Sequence, residues 1–275
     1  MIKKKTSFII VYAILFFLFL VEVIPVLQVF LNSFRSDREV KAMPFGLPQN
    51  WVFTNWPDTW RMGSYGVAYW NSLVITISVI GLILSIVGLG AYALSKLQFK
   101  GREFFIAYFF VGISLPGFLY IVPNYFLFNK MGLVDTRLSL VLCYTASGIP
   151  FYMLLLRTFL GSIPRELEEA AKIDGCTKFG IYVRIFVPLS GNLFATLTIL
   201  KFVATWNDFF YPLIVTTTDN MMTVQLALTK FRSATGIQWN EMMAATLMVI
   251  LPVIVVFIFA QRYFVQGIVT TGIKA

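Results

Sequence analysis

Six long apolar runs constrain this chain more than any other feature. They cover about Ser7–Leu31, Tyr69–Ser95, Phe104–Phe128, Leu138–Phe159, Asn192–Thr216 and Met242–Phe264. An α-helix needs about 20 apolar residues to cross a hydrocarbon core, and each run meets that length. Only 13% of the 275 residues are charged and 58% are hydrophobic, whereas a soluble domain carries about 25% charged residues. The predicted fold class is an all-α membrane protein with six transmembrane helices, forming one domain over residues 1–275.

Six spans put both ends on one side, and lysine and arginine choose which. With a cytoplasmic N-terminus, 13 basic residues lie inside and eight outside, and most of the 13 sit close to span ends. Both termini are therefore expected in the cytoplasm, with the chain multi-pass in a bacterial cell membrane. The first apolar run outlasts the roughly 7–15-residue core of a cleaved signal, and no small-residue cleavage site follows, so it reads as a retained span. All six tryptophans then fall on or near the outer side, where indole rings favour the interface. The outer segment Asn32–Ala68, with Pro44, Pro48 and Pro57, is expected to be a partly ordered loop.

Prolines at 25, 116, 123, 150, 212 and 252 lie within or beside the spans. Such helices bend or break, and neighbours satisfy the freed carbonyls. Gly81, Ser85, Gly88 and Ala91 in the second span predict close helix approach. Three ionisable groups, Glu22, Lys201 and Asp208, fall inside spans, where charge is costly. Glu22 and Lys201 receive no role. Trp206, Asn207 and Asp208 combine indole, amide and carboxylate. That set suits a polyhydroxylated ligand, and it equally suits a polar helix–helix contact beside an interfacial tryptophan.

One long segment departs from the apolar pattern. Residues 160–191 join the fourth and fifth runs and carry patterned charge from Pro164 to Ser190. Pro164 suits a first helical turn, and Glu166, Glu168 and Glu169 suit a helix N-terminus. Gly175 can adopt the positive φ that ends a helix. Two short helices joined at Asp174–Gly175 are predicted, the second reaching Pro188.

Several classes are excluded. Histidine is absent, removing the commonest general base and metal ligand. Cys143 and Cys176 read as small hydrophobes, so no metal site is expected. No P-loop or nucleophile elbow occurs, so no catalytic residue is assigned and the chain is not expected to be an enzyme. Basic residues are not interleaved with aromatics as in nucleic-acid binders.

Glu169-Ala170-Ala171, followed by Asp174-Gly175, Ile185 and Pro188, resembles the EAA loop of membrane subunits of bacterial ABC importers. Val187 stands where leucine is usual. Tyr69-Trp70-Asn71-Ser72, Asn129–Thr136, Trp206-Asn207-Asp208-Phe209 and Gln261–Gly267 are similar to the carbohydrate-uptake branch, the relatives of the maltose system's smaller permease. The resemblance implies a heterodimer with a second permease, two ATPase subunits that hold ATP and Mg, and an extracytoplasmic solute-binding protein that delivers a sugar. This chain itself would carry no cofactor and would contact membrane lipid. Glu169, Ala170, Ala171, Asp174, Gly175, Ile185 and Pro188 would couple it to the ATPases. The tail 265–275, with Gly267, Gly272 and Lys274, would approach them. The alternatives are a permease for a non-sugar solute, such as a glycerol phosphate diester, and a passive channel or structural membrane subunit.

Overall fold

The computed structural model describes the backbone of residues 2–233 and 236–272, and side chains over 8–232 and 236–261. Helices dominate. In chain order they are α1 (Ile2–Asn32), α2 (Asp37–Ala42), α3 (Asn55–Met62), α4 (Tyr65–Lys96), α5 (Arg102–Ser114), α6 (Ile121–Lys130) and α7 (Arg137–Ser162). Then come α8 (Glu166–Ile173), α9 (Lys178–Ile181), α10 (Val187–Leu189), α11 (Gly191–Trp206), α12 (Phe210–Val215), α13 (Val224–Ala227) and α14 (Trp239–Gly272). Arg232–Ser233 and Gly236–Ile237 pair as a short antiparallel ladder.

Among the described residues, four helices are long and apolar enough to cross a membrane, and two bent pairs bring the spans up to six. The third expected span is one of those pairs. Its halves, Arg102–Ser114 and Gly117–Lys130, meet at 93°. Pro116 lacks an N–H and keeps Leu115 out of the helical region, and Leu115 is indeed extended at φ −86°, ψ 121°. The fifth expected span is likewise not one rod: α11 stops at Trp206 and α12 resumes at Phe210. Just ahead of it, Lys178–Leu189 of the connecting segment meets Gly191–Trp206 at 75°. Pro212 sits in the first turn of α12, where a missing N–H costs nothing.

The chain forms two compact units, Met1–Gly66 with Ala227–Pro252, and Val67–Leu226 with Val253–Ala275. In the first, the expected outer loop Asn32–Ala68 carries the short helices α2 and α3, and side chains distant in sequence satisfy its backbone. Asn55 Nδ2 donates to Ser33 O at 2.9 Å and Arg35 O at 2.8 Å, while Asn240 Nδ2 donates to Asn55 Oδ1 at 3.1 Å. Arg35, 1% exposed, donates from Nε to Glu39 Oε1 and from Nη1 to Asn32 Oδ1, both at 2.9 Å. The Gln49 N–H holds Glu39 below the usual carboxylate range; burial opposes it and Arg35 adds to it.

In the second unit, Ile75, Val79, Ile83, Val87 and Ala91 of α4 are each at most 1% exposed. Their four-residue spacing is one helical stripe, packed in a common core with Leu140, Leu156 and Leu160 of α7. Burial ranks the spans: 56% of the apolar window of α7 is inside the fold, against none of that of α1. Asn71, fully buried, anchors the chain after α12 by donating to Asn220 O at 2.9 Å and Met222 O at 2.8 Å. Its own Oδ1 accepts from Arg137 Nε at 2.7 Å. Asp135 performs a similar task in the loop between α6 and α7. It accepts from Thr217 N at 2.8 Å, Thr218 N at 3.0 Å and Thr218 Oγ1 at 2.7 Å.

Candidate functional site

The 163–190 segment folds as two helical pieces with a designed corner. Arg165 precedes the first residue of α8, so Pro164 lies just ahead of the helix rather than inside its first turn. Helix α8 ends in a Schellman arrangement. Cys176 N donates to Ala171 O at 2.9 Å and Gly175 N to Lys172 O at 3.1 Å, with Gly175 at φ +78°. A side chain there would be strained, because the left-handed region brings Cβ against the following carbonyl. Thr177 then caps α9, accepting from Gly180 N at 3.1 Å.

Helix α8 has two distinct faces. Glu168 and Ala171, each 6% exposed, turn inward, and Glu168 pairs with Lys172 at 2.7 Å. Glu166, Glu169, Ala170 and Ile173 share the opposite face, spaced for one side of a helix, and all four are exposed. Ile173 at 87% and the nearby Phe179 at 65% are apolar side chains without cover from this chain.

The return piece is clamped to α4. Tyr92 meets Tyr182 with ring centroids 5.4 Å apart and Phe186 at 5.1 Å. Lys96 Nζ donates to Ile163 O at 2.7 Å and stands 5.2 Å above the Phe186 ring. Gly88 makes this approach feasible, since a Cβ there would collide with the Tyr182 hydroxyl. Between Tyr182 and Phe186 the helix widens to a π turn, with Val187 N donating to Tyr182 O. Ile185 is half-buried against the core and Pro188 is exposed.

A second feature is a cavity of 380 Å³ lined by Tyr144 and Ser147 of α7, Lys201 of α11, Asn207, Asp208 and Tyr211 among others. Tyr144 organises it. Its hydroxyl donates to Asp208 Oδ2 at 2.6 Å, and its carbonyl accepts from Lys201 Nζ at 2.8 Å. Asp208 Oδ1 also accepts from Phe210 N at 3.3 Å. Phe118 and Phe210 add an edge-to-face pair at 5.5 Å on the cavity wall.

Of the three side chains singled out in the fifth span, two line this cavity. Trp206 does not: it is 1% exposed, stacked on Phe202 at 5.4 Å and edge-on to Tyr69 at 5.8 Å. Its ring faces are used within the fold and offer no stacking platform. Lys201, given no role by its sequence, faces the cavity, whereas Glu22 is exposed on α1. Tyr144 and Tyr211 were missed. Their only signal is a polar hydroxyl in an apolar run, which many tyrosines share. In the C-terminal tail, the α14 backbone is helical through Gly267 to Gly272, and Lys274 lies outside the described residues.

Helices of membrane-crossing length, two bent helix pairs and a short exposed helix between two spans define a multi-pass membrane protein. Residues 86–270 match the family described as binding-protein-dependent transport system inner membrane component. The chain belongs to that family, whose members are transport subunits of the membrane rather than enzymes. It is similar to the probable ABC transporter permease protein YurM of Bacillus subtilis, 34% identical over 94% of this chain and 86% of that protein. The arabinooligosaccharides transport system permease protein AraQ of Halalkalibacterium halodurans is 32% identical over 99% of both chains. Among solved structures, a chain of a bacterial ABC transporter involved in import of the acidic polysaccharide alginate superposes with a TM-score of 0.81 at 25% identity, covering 94% of this chain and 96% of that one.

Proposed function

We propose that the whole chain acts as one permease subunit of an ATP-driven importer that moves a sugar or oligosaccharide delivered by an extracytoplasmic binding protein. The saccharide class is supported by the names of its relatives, which concern arabinooligosaccharides and alginate. The lysine and arginine bias, 13 against eight, favours cytoplasmic termini and puts α8 in the cytoplasm.

One observation carries the coupling role. Helix α8 presents Glu166, Glu169, Ala170 and Ile173 outward, while its base is fixed by the Gly175 corner and the clamp on α4. A mixed acidic and apolar face on a rigid, anchored helix fits a cleft on a partner bearing basic and apolar groups. In this reading the partner is an ATPase subunit that binds ATP and Mg, and its closure pushes α8 and moves the attached spans. A second permease subunit completes the pathway as a heterodimer. The tail residues Gly267, Gly272 and Lys274 approach the same ATPases, and Asn207 and Asp208 lie on the solute route.

Glu169→Lys and Gly175→Pro test this. The first reverses the charge on the docking face. The second removes the N–H bonded to Lys172 O and cannot adopt positive φ. Both variants should insert normally in the membrane and lose binding-protein-stimulated ATP hydrolysis by the reconstituted complex. Full stimulation in both would dismiss α8 as the coupling element.

A further inference from the structure

The cavity around Tyr144 holds one cation and one anion that are kept apart. Among the described residues no ion pair joins Lys201 to Asp208. Instead Tyr144 separates them, fixing the lysine through its carbonyl at 2.8 Å and the carboxylate through its hydroxyl at 2.6 Å. Lys201 is 6% exposed, and its ammonium has three donors, of which the Tyr144 carbonyl uses one. Asp208 accepts two hydrogen bonds, leaving room on a carboxylate with about four lone-pair sites. Gly148 borders the amine: a Cβ there would collide with Ile83 Cδ1 at 2.7 Å and crowd Lys201 Nζ at 3.2 Å.

Resting on the solute-permease reading, we propose that this cavity is a ligand subsite on this chain for an uncharged polyhydroxylated group, and that Asp208 excludes a carboxylate from it. Lys201 donates to one hydroxyl oxygen, and Asp208 accepts from a neighbouring hydroxyl. A hydroxyl can serve either wall because it both donates and accepts. The aromatic rings of Phe118 and Phe210 take the apolar face of the same group. A carboxylate reaching Lys201 would sit beside Asp208, where the poorly hydrated surroundings strengthen like-charge repulsion. Selectivity of this kind depends on the repulsive element as much as on the attractive one. At 380 Å³ the cavity falls at the small end of ligand pockets, about 300–1,000 Å³, suited to one or two sugar rings.

The test uses the full chain in lipid nanodiscs with two probes that differ only at C6, methyl β-glucoside and methyl β-glucuronide. Saturation-transfer NMR should show glucoside binding, with glucuronide weaker by about tenfold. Asp208→Asn should bring the two probes to parity. Lys201→Met should weaken glucoside by about tenfold, the scale of one lost hydrogen bond to a charged group, while Lys201→Arg retains it. Circular dichroism separates loss of binding from loss of helix, and Lys201→Arg against wild type carries the comparison if Lys201→Met unfolds. Equal or stronger glucuronide binding by wild type would overturn the proposal, as would glucoside binding indifferent to these substitutions or no binding of either probe. Since the measurement needs neither ATPase nor turnover, a failure of the coupling assignment leaves its result unaffected.

Discussion

At the scale of the residue, single atoms decide which helices can approach. Gly88 stands against the Tyr182 hydroxyl, with Tyr182 Cζ 3.5 Å and Phe194 Cζ 3.6 Å from where a Cβ would be. Gly88→Ala should cost about 1–3 kcal/mol, as overpacking of a filled interior does, read as a lowered thermal midpoint in detergent. Adding Tyr182→Phe removes the colliding oxygen and should restore most of the loss; no rescue would mean that the contact is not the cause. Asp135 offers a pH-dependent case. Partial burial raises its pKa, but hydrogen bonds from Thr218 and Thr217 outweigh it and the net direction is down. The group therefore contributes stability above its unfolded value of about 3.9, and that contribution is lost as pH falls through the lower folded value. Asp135→Asn should flatten the acid limb of the stability profile, and an unchanged acid limb would remove Asp135 from the account.

At the scale of the element, corners matter more than rods. Thr177→Ala deletes the side chain that accepts from Gly180 N and should cost about 1 kcal/mol, the usual worth of an N-cap, again by thermal unfolding. The sequence made the two-piece form of this segment legible, because Gly175 and Pro188 are local signals with few conformational options. Pro116 likewise announced a break, but not its 93° angle, which depends on what each half packs against. The contacts that hold the outer loop stayed hidden for a related reason: Arg35, Asn55 and Asn240 meet only once distant parts of the chain have folded. Trp206 shows the limit in the site itself. Its place beside Asn207 and Asp208 was plain, whereas the burial of its ring edge-on to Tyr69 of α4 is fixed by packing across helices.

At the scale of the whole molecule, burial is uneven in a way that fits a subunit. The apolar window of α1 contributes none of itself to the fold of this chain, so lipid or another subunit must cover it. The π turn at Tyr182–Phe186 has a different consequence, concerning changes of length rather than changes of side chain. A wide turn holds one residue more than an α-turn while leaving the flanking helix in phase, here through the Val187 N to Tyr182 O bond. Deleting exposed Val183 should let that bond close as an ordinary helical one, keeping Tyr182 and Phe186 against Tyr92. The same deletion midway along α4, such as Leu84, would rotate everything beyond it by about 100° and turn the stripe of Val87 and Ala91 out of the core. This position is thus a reserve for shortening the chain: thermal unfolding in detergent should find the Val183 deletion folded and the Leu84 deletion not.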